Sequence, residues 1–203
     1  SAQSAYLQPA TKDRPAEGCL VIEQNKLNDM VLRANRQGFH VALHAVGSEG
    51  TRIALNAFQF SKEKLAHRLS NRIEHIELIE RNDIPRFASL NVIASMQPGG
   101  LYFESAEDNY YLHGVKLGDK TLFYPFFELS KSGASLVFGT DFPVMEQDPL
   151  IAIRFATTAR GGDGHLIPTV QPIAAALALQ AFTTEAAKLT KWKGQTGEAK
   201  IGQ

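Results

Sequence analysis

Two periods alternate along the chain. Between Asn25 and Gly38 the apolar residues Leu27, Met30, Val31 and Ala34 recur at helical spacing, and Gly38 stands where the last turn would end. Phe39–Val46 (FHVALHAV) is short, rich in apolar residues and runs into Gly47, which predicts a strand buried on both faces. Helical spacing returns over Gly50–Leu65 through Ile53, Ala54, Ala57 and Phe58, and Arg72–Ile76 (RIEHI) reads as a second strand. Glu80–Leu90 predicts a helix with Pro85 in its first turn, where the missing N–H costs little. Asn91–Gln97 (NVIASMQ) is a third strand, stopped by Pro98-Gly99-Gly100. Leu101–Lys120 has no clean period and reads as a long loop with a single helical turn, a length usually reserved for function. A helix over Phe123–Lys131 then leads to a fourth strand, Ser135–Gly139. Helices follow at Asp148–Ala159 and Gln171–Phe182, separated by the Gly161–Gly164 loop, and Thr183 or Thr184 is placed to cap one more, ending near Thr190. The tail from Lys191 is polar and Gly-rich, with no further strand in its pattern. Strands alternating with helices in this way predict an α/β protein with a parallel sheet built from βαβ units.

Composition narrows the class. The 203 residues carry 21 Lys+Arg against 21 Asp+Glu and are 44% hydrophobic, ample material for the core of one domain. Balanced charge removes the usual basis for a nucleic-acid or anionic-membrane partner, because both need excess Lys/Arg to neutralise phosphates. The single cysteine, Cys19, cannot close an internal disulfide and supplies too few thiolates for a Cys-based metal site, which fits a reducing cytoplasm. No apolar run reaches the roughly 18 residues of a membrane span, and Ser1–Ala10 lack the basic-then-apolar order of a signal peptide.

Three polar residues fall at the carboxyl ends of predicted strands, where parallel α/β proteins place their chemistry: His44 in VALHAVG, His75 in RIEHIE and Asp141 in FGTDFP. His44 and His75 are 31 residues apart and His75 and Asp141 are 66 apart, about one and two βα repeats of roughly thirty residues each. That spacing predicts one shared rim, which Gln97 at the end of the MQP strand should also reach. Two imidazoles and a carboxylate make a reasonable site for zinc or a neighbouring divalent metal. A histidine near a strand end is, taken singly, more often a satisfied structural residue, and the spacing is what favours the trio. His113 (YYLHG) and His165 (GGDGH) sit in loops able to lean over a rim, whereas His40 and His67 read as surface residues. Glu74 should point to the opposite side of its strand from His75, and Ser48 and Glu49 are explained by N-capping of the following helix. No G-x-S-x-G elbow, P-loop or G-x-G-x-x-G after a strand occurs.

Taken in order, G-F-H-V-A-L-H-A-V-G, R-I-E-H, S-M-Q-P and F-G-T-D-F-P-V with a following D-P-L resemble the second half of the amidohydrolase-like family 3 proteins, from about Ser4 to the end. These are metal-dependent hydrolases of amide-like C–N bonds built on a (β/α)8 TIM barrel. The resemblance implies that His44 and His75 are metal-ligand histidines of the fifth and sixth barrel strands. It implies that Asp141 is the eighth-strand aspartate, which binds metal and takes the proton from the attacking water. Gln97 and His113 would then contact a small-molecule substrate. The family's first-strand His-x-His pair and its bridging ligand would lie upstream of Ser1. A full barrel needs about 250 residues and eight strands, so residues 1–203 are expected to form a partial barrel domain lacking the N-terminal strands and most of the small β-sandwich. Such a piece should be weakly active or inactive alone, and its two exposed sheet edges should favour a homo-oligomer. Two positions depart from the family: Ser48 stands where it often has Asp, and Gly99-Gly100 where it often has a His after Q-P. They motivate a second reading, a regulatory or binding protein that keeps the fold. Four successive parallel strands also suit a doubly wound sheet binding a metabolite without metal.

Overall fold

Leu27, Val31 and Asn35 lie one turn apart and form the buried stripe of α1 (Gln24–Arg36). The helix stops as the glycine predicts. Gly38 takes φ +83, its N–H donates to Asn35 O at 3.0 Å, and Phe39 N–H donates to Ala34 O at 3.1 Å, a double closure that needs a residue free to be left-handed. The computed structural model describes residues 20–65, 69–101, 120–190 and 194–199. The chain divides into two compact units, Ser1–Ser95 with Lys116–Ser135, and Met96–Val115 with Leu136–Gln203.

In the first unit β1 (Ala42–Ala45) leads into α2 (Ser48–Lys64), which buries Ile53, Ala54, Ala57 and Phe58 and packs against α1. The chain returns through β2 (Arg72–His75) and β3 (Leu78–Glu80), and a 3-10 turn at Arg81–Asp83 opens α3 (Ile84–Leu90) with Pro85 in its first turn. Next come β4 (Ile93–Met96), β5 (Thr121–Phe123) and α4 (Phe126–Lys131), and β6 (Leu136–Phe138) begins the second unit. The main sheet runs in the order β1-β2-β4-β6. β1 pairs parallel with β2, setting His44 opposite Glu74 and Ala45 opposite His75, and β2 pairs parallel with β4. This is the α/β arrangement of four parallel strands with flanking helices that the alternating periods predict. Phe123, Tyr124 and Phe126 fill the core as two edge-to-face pairs, with centroids 5.0 and 5.5 Å apart. Such pairs add about 1 kcal/mol each beyond the area they bury.

A buried amide cluster pins the amino ends of these strands. Asn35 and Asn71 exchange hydrogen bonds (Nδ2 to Oδ1, 2.9 and 3.1 Å), Ser61 Oγ donates to Asn35 Oδ1, and Asn71 Oδ1 also accepts Val41 N–H at 2.9 Å. The Asn71 carbonyl accepts Ile93 N–H at 2.9 Å, so the Asn35–Asn71 pair ties β1, β2 and β4 to α1 and, through Ser61, to α2.

In the second unit a 3-10 turn at Pro98–Leu101 packs on α5 (Pro149–Thr158), and α6 (Ala175–Phe182) packs on β6, with the Phe138 and Phe182 rings 5.6 Å apart. Asp148 caps α5, its carboxylate accepting Leu150 N–H at 2.9 Å. α7 (Thr184–Ala187) ends the ordered run of elements. Gly197 docks on it with φ +89 where a Cβ would meet the Ala187 Cβ at 2.8 Å and the Thr183 carbonyl at 2.9 Å, so only glycine fits.

Several expectations change. β1 is not buried on both faces: Ala42 and His44, which alternate onto the same face, are exposed. β3 and β5, an antiparallel pair outside the main sheet, were not legible as strands. α6 starts four residues later than Gln171, since Ile173 N–H is committed to Ala156 O. Thr183 precedes α7 but its hydroxyl donates back to Leu179 O, so it does not cap by side chain. The Leu101–Lys120 loop falls almost wholly outside the described residues.

Candidate metal-binding site

β1 and β2 present their carboxyl ends side by side, and each ends on a histidine or next to one. Alternation puts His44 and its register partner Glu74 on one face. Glu74 is held there by the guanidinium of Arg72, two residues back on the same face. Strict alternation would then send His75 to the other face, away from His44. The backbone prevents this. His75 adopts φ +77 and Ile76 φ +54, and Ile76 N–H is shared between Ala45 O (3.0 Å) and Glu74 O (3.2 Å). An i→i+2 bond closed across a residue with φ near +75° is the strained form of the γ-turn. It turns the end of β2 so that the His75 ring meets the His44 ring edge-on, centroids 4.4 Å apart and planes at 69°. His75 is 9% exposed and His44 is open to solvent.

This donor pair suits a divalent transition metal. With Zn–N bonds of about 2.0–2.1 Å, two imidazoles on one tetrahedral ion have centroids roughly 5 Å apart, so the observed 4.4 Å needs only a small opening. Left-handed backbone at a β-branched, fully buried residue such as Ile76 costs about 1–3 kcal/mol, and strain of that kind concentrates at functional sites. Among the described residues no three or more His, Cys, Asp and Glu side chains gather to hold a metal ion.

The other sequence candidates fall as follows. Asp141 lies in the second unit just past β6, exposed and left-handed at φ +56, with its carbonyl accepting Val144 N–H at 2.8 Å. Gln97 directly follows β4 and is 6% exposed, its carbonyl accepting Gly100 N–H. His113 and His67 lie outside the described residues. His165 is exposed beside Asp163, and His40 is exposed with Nδ1 against the Ser70 backbone, as its surface reading expects. The capping role given to Ser48 and Glu49 does not hold. Gly47 occupies the N-cap position, Ser48 is buried inside the first turn, and one carboxylate oxygen of Glu49 is buried without a hydrogen bond. The feature that sequence reasoning missed is the turn at His75-Ile76. Neither residue is Gly or Pro, so no local signal marks it.

The model of the amidohydrolase family matches residues 1–203. Protein LONG AFTER FAR-RED 3 of Arabidopsis thaliana is 30% identical over 143 residues, covering 68% of this chain and 24% of that protein. An uncharacterized metal-dependent hydrolase from Pyrococcus furiosus superposes with a TM-score of 0.75 at 26% identity, covering 99% of this chain and 40% of the other. One from Pyrococcus horikoshii OT3 also gives 0.75 at 26% identity, covering 97% and 39%. The chain thus spans about a quarter of that curated relative and two fifths of those solved structures. With its parallel strands, its paired strand-end histidines and a family match along its whole length, the chain belongs to the amidohydrolase family.

Proposed function

We propose that the complete protein is a metal-dependent hydrolase of amide-like C–N bonds in a small-molecule substrate, and that these residues supply the later strands of its barrel. The observation that carries this reading is the His44–His75 ring pair, set at adjacent strand ends by a strained turn. His44 and His75 would hold the ion, zinc being the metal that imidazole and carboxylate donors suit well, with Asp141 as the carboxylate donor. A divalent ion held there supplies a water nucleophile at neutral pH and polarises the bond to be cut. The Asp141 carboxylate accepts the proton that the attacking water loses and returns it to the leaving nitrogen as the C–N bond breaks. Gln97 and His113 orient the substrate. The 203 residues alone are expected to hydrolyse weakly or not at all, since they span two fifths of the solved hydrolases they match.

The test is amine release from a panel of N-acyl and N-carbamoyl substrates by the complete protein. Chelation should stop the reaction, zinc should restore it, His44→Ala should abolish it, and Asp141→Asn should slow it by about 10²–10⁴-fold. Hydrolysis indifferent to both substitutions would overturn the assignment. The alternative, a regulatory protein that keeps the fold, rests on Ser48 and on Gly99-Gly100. Metal binding without turnover on any panel member would favour it.

A further inference from the structure

We infer that Ile76 is a positioning residue whose packing, together with the β3–β5 strand pair, sets the orientation of the His75 imidazole. This rests on the reading of His44 and His75 as metal ligands. Three observations converge on the turn. Ile76 is fully buried at φ +54, a conformation that a β-branched residue does not choose for itself, so its surroundings must impose it. Its N–H is drawn to Ala45 O on β1 as well as to Glu74 O across the γ-turn. Just beyond, the chain is clamped from both sides: Leu78 N–H donates to Val46 O at 2.9 Å, Tyr124 N–H donates to Glu77 O at 2.9 Å, and Leu78 to Glu80 pair antiparallel with Thr121 to Phe123. Leu78 and Ile79, like Ile76, are wholly buried.

The consequence is geometric. Were β2 to continue extended through His75, the ring would leave the face that His44 occupies. The γ-turn keeps it there, and the turn survives because Ile76 and β3 have no other place to pack. β3 and β5 stand outside the main sheet and add nothing to its parallel pairing, yet they hold the residues that follow the ligand. Truncating the Ile76 side chain removes the anchor, and relaxation toward extended backbone is then downhill.

The test uses the full chain with histidines 13C-labelled at Cε1, in Ile76→Ala, the conservative Ile76→Val, and Leu129→Ala as a control for lost packing. Leu129 is equally buried, in α4. In the metal-free protein a ring-to-ring cross-peak between His44 and His75, assigned with His44→Ala, should be strong in the parent, Ile76→Val and Leu129→Ala. It should fall at least tenfold in Ile76→Ala. Cobalt affinity should follow, dropping tenfold or more in Ile76→Ala against Leu129→Ala. Leu78→Ala, which loosens the β3 side of the same turn, is expected to behave like Ile76→Ala and serves if that variant does not fold. A folded Ile76→Ala or Leu78→Ala with the parent's cross-peak and affinity overturns the inference. A cross-peak lost on truncation in a protein that takes up no cobalt keeps the positioning role and overturns the metal reading.

Discussion

Replacing Asn35 by Ala should loosen the amino end of the sheet more than any comparable change on the helix that carries it. Asn35 is 4% exposed, and its carboxamide makes four hydrogen bonds: to Phe39 O and Asn71 Oδ1 as donor, and from Ser61 Oγ and Asn71 Nδ2 as acceptor. Each intramolecular bond is worth about 1 kcal/mol net, and a buried polar group stripped of its partner costs about 1–3 kcal/mol. Asn71, 3% exposed, would keep the Val41 N–H on its oxygen but lose both the donor and the acceptor supplied by Asn35. The loss should therefore be about 2–4 kcal/mol. For a chain of this size each kcal/mol moves the midpoint by roughly 2–4 °C, so Tm should fall by about 5–15 °C. Urea and thermal unfolding followed by far-UV circular dichroism measure both numbers. Arg33→Ala, exposed on the same helix, should change stability by less than about 0.5 kcal/mol. An Asn35→Ala variant as stable as Arg33→Ala would refute the claim that this cluster pins the amino ends of the strands.

Asp83 is buried between Arg52 Nε (2.8 Å) and Arg86 Nη1 (2.9 Å). Asp83→Asn should therefore lower the unfolding free energy by about 2–4 kcal/mol, read as a lower urea midpoint. Asp148→Ala removes the α5 cap and should cost about 1 kcal/mol, with hydrolysis by the complete protein unchanged. Asp141→Asn should reduce kcat by about 10²–10⁴-fold, the usual worth of a positioned acid–base group, while elemental analysis finds the metal retained through the two imidazoles.

Much of this was legible in the amino-acid pattern. Gly38 marks the end of α1 because the double closure requires φ +83 there, and Asp148-Pro149 marks the start of α5 because one residue accepts the first free N–H and the next has none to satisfy. The histidines at β1 and β2 were visible from their place at strand ends one repeat apart. Their spacing predicts a shared rim, but how the two rings come to one face was not legible, because alternation alone sends Glu74 and not His75 toward His44. At the turn that corrects this Ile76 is buried and its N–H bonds to Ala45 and Glu74, contacts made at sequence distance or inside the stretch R-I-E-H-I-E-L-I-E. For the same reason β3 goes unmarked between the strand expected to Ile76 and the helix expected from Glu80: R-I-E-H-I-E-L-I-E contains no Gly or Pro to announce that one strand has ended and another begun. The exposed face of β1 was misread because Val, Ala and Leu around His44 look the same whether or not something covers them.

The central claim is that His44 and His75 hold a divalent ion between them. X-ray absorption of the zinc-loaded complete protein counts imidazoles directly, through the scattering of the outer ring atoms. Histidine scattering should be present in the parent and should fall by one imidazole in His44→Ala and again by one in His75→Ala, with the fold intact by circular dichroism. Spectra unchanged by both substitutions would place the metal elsewhere and contradict the claim.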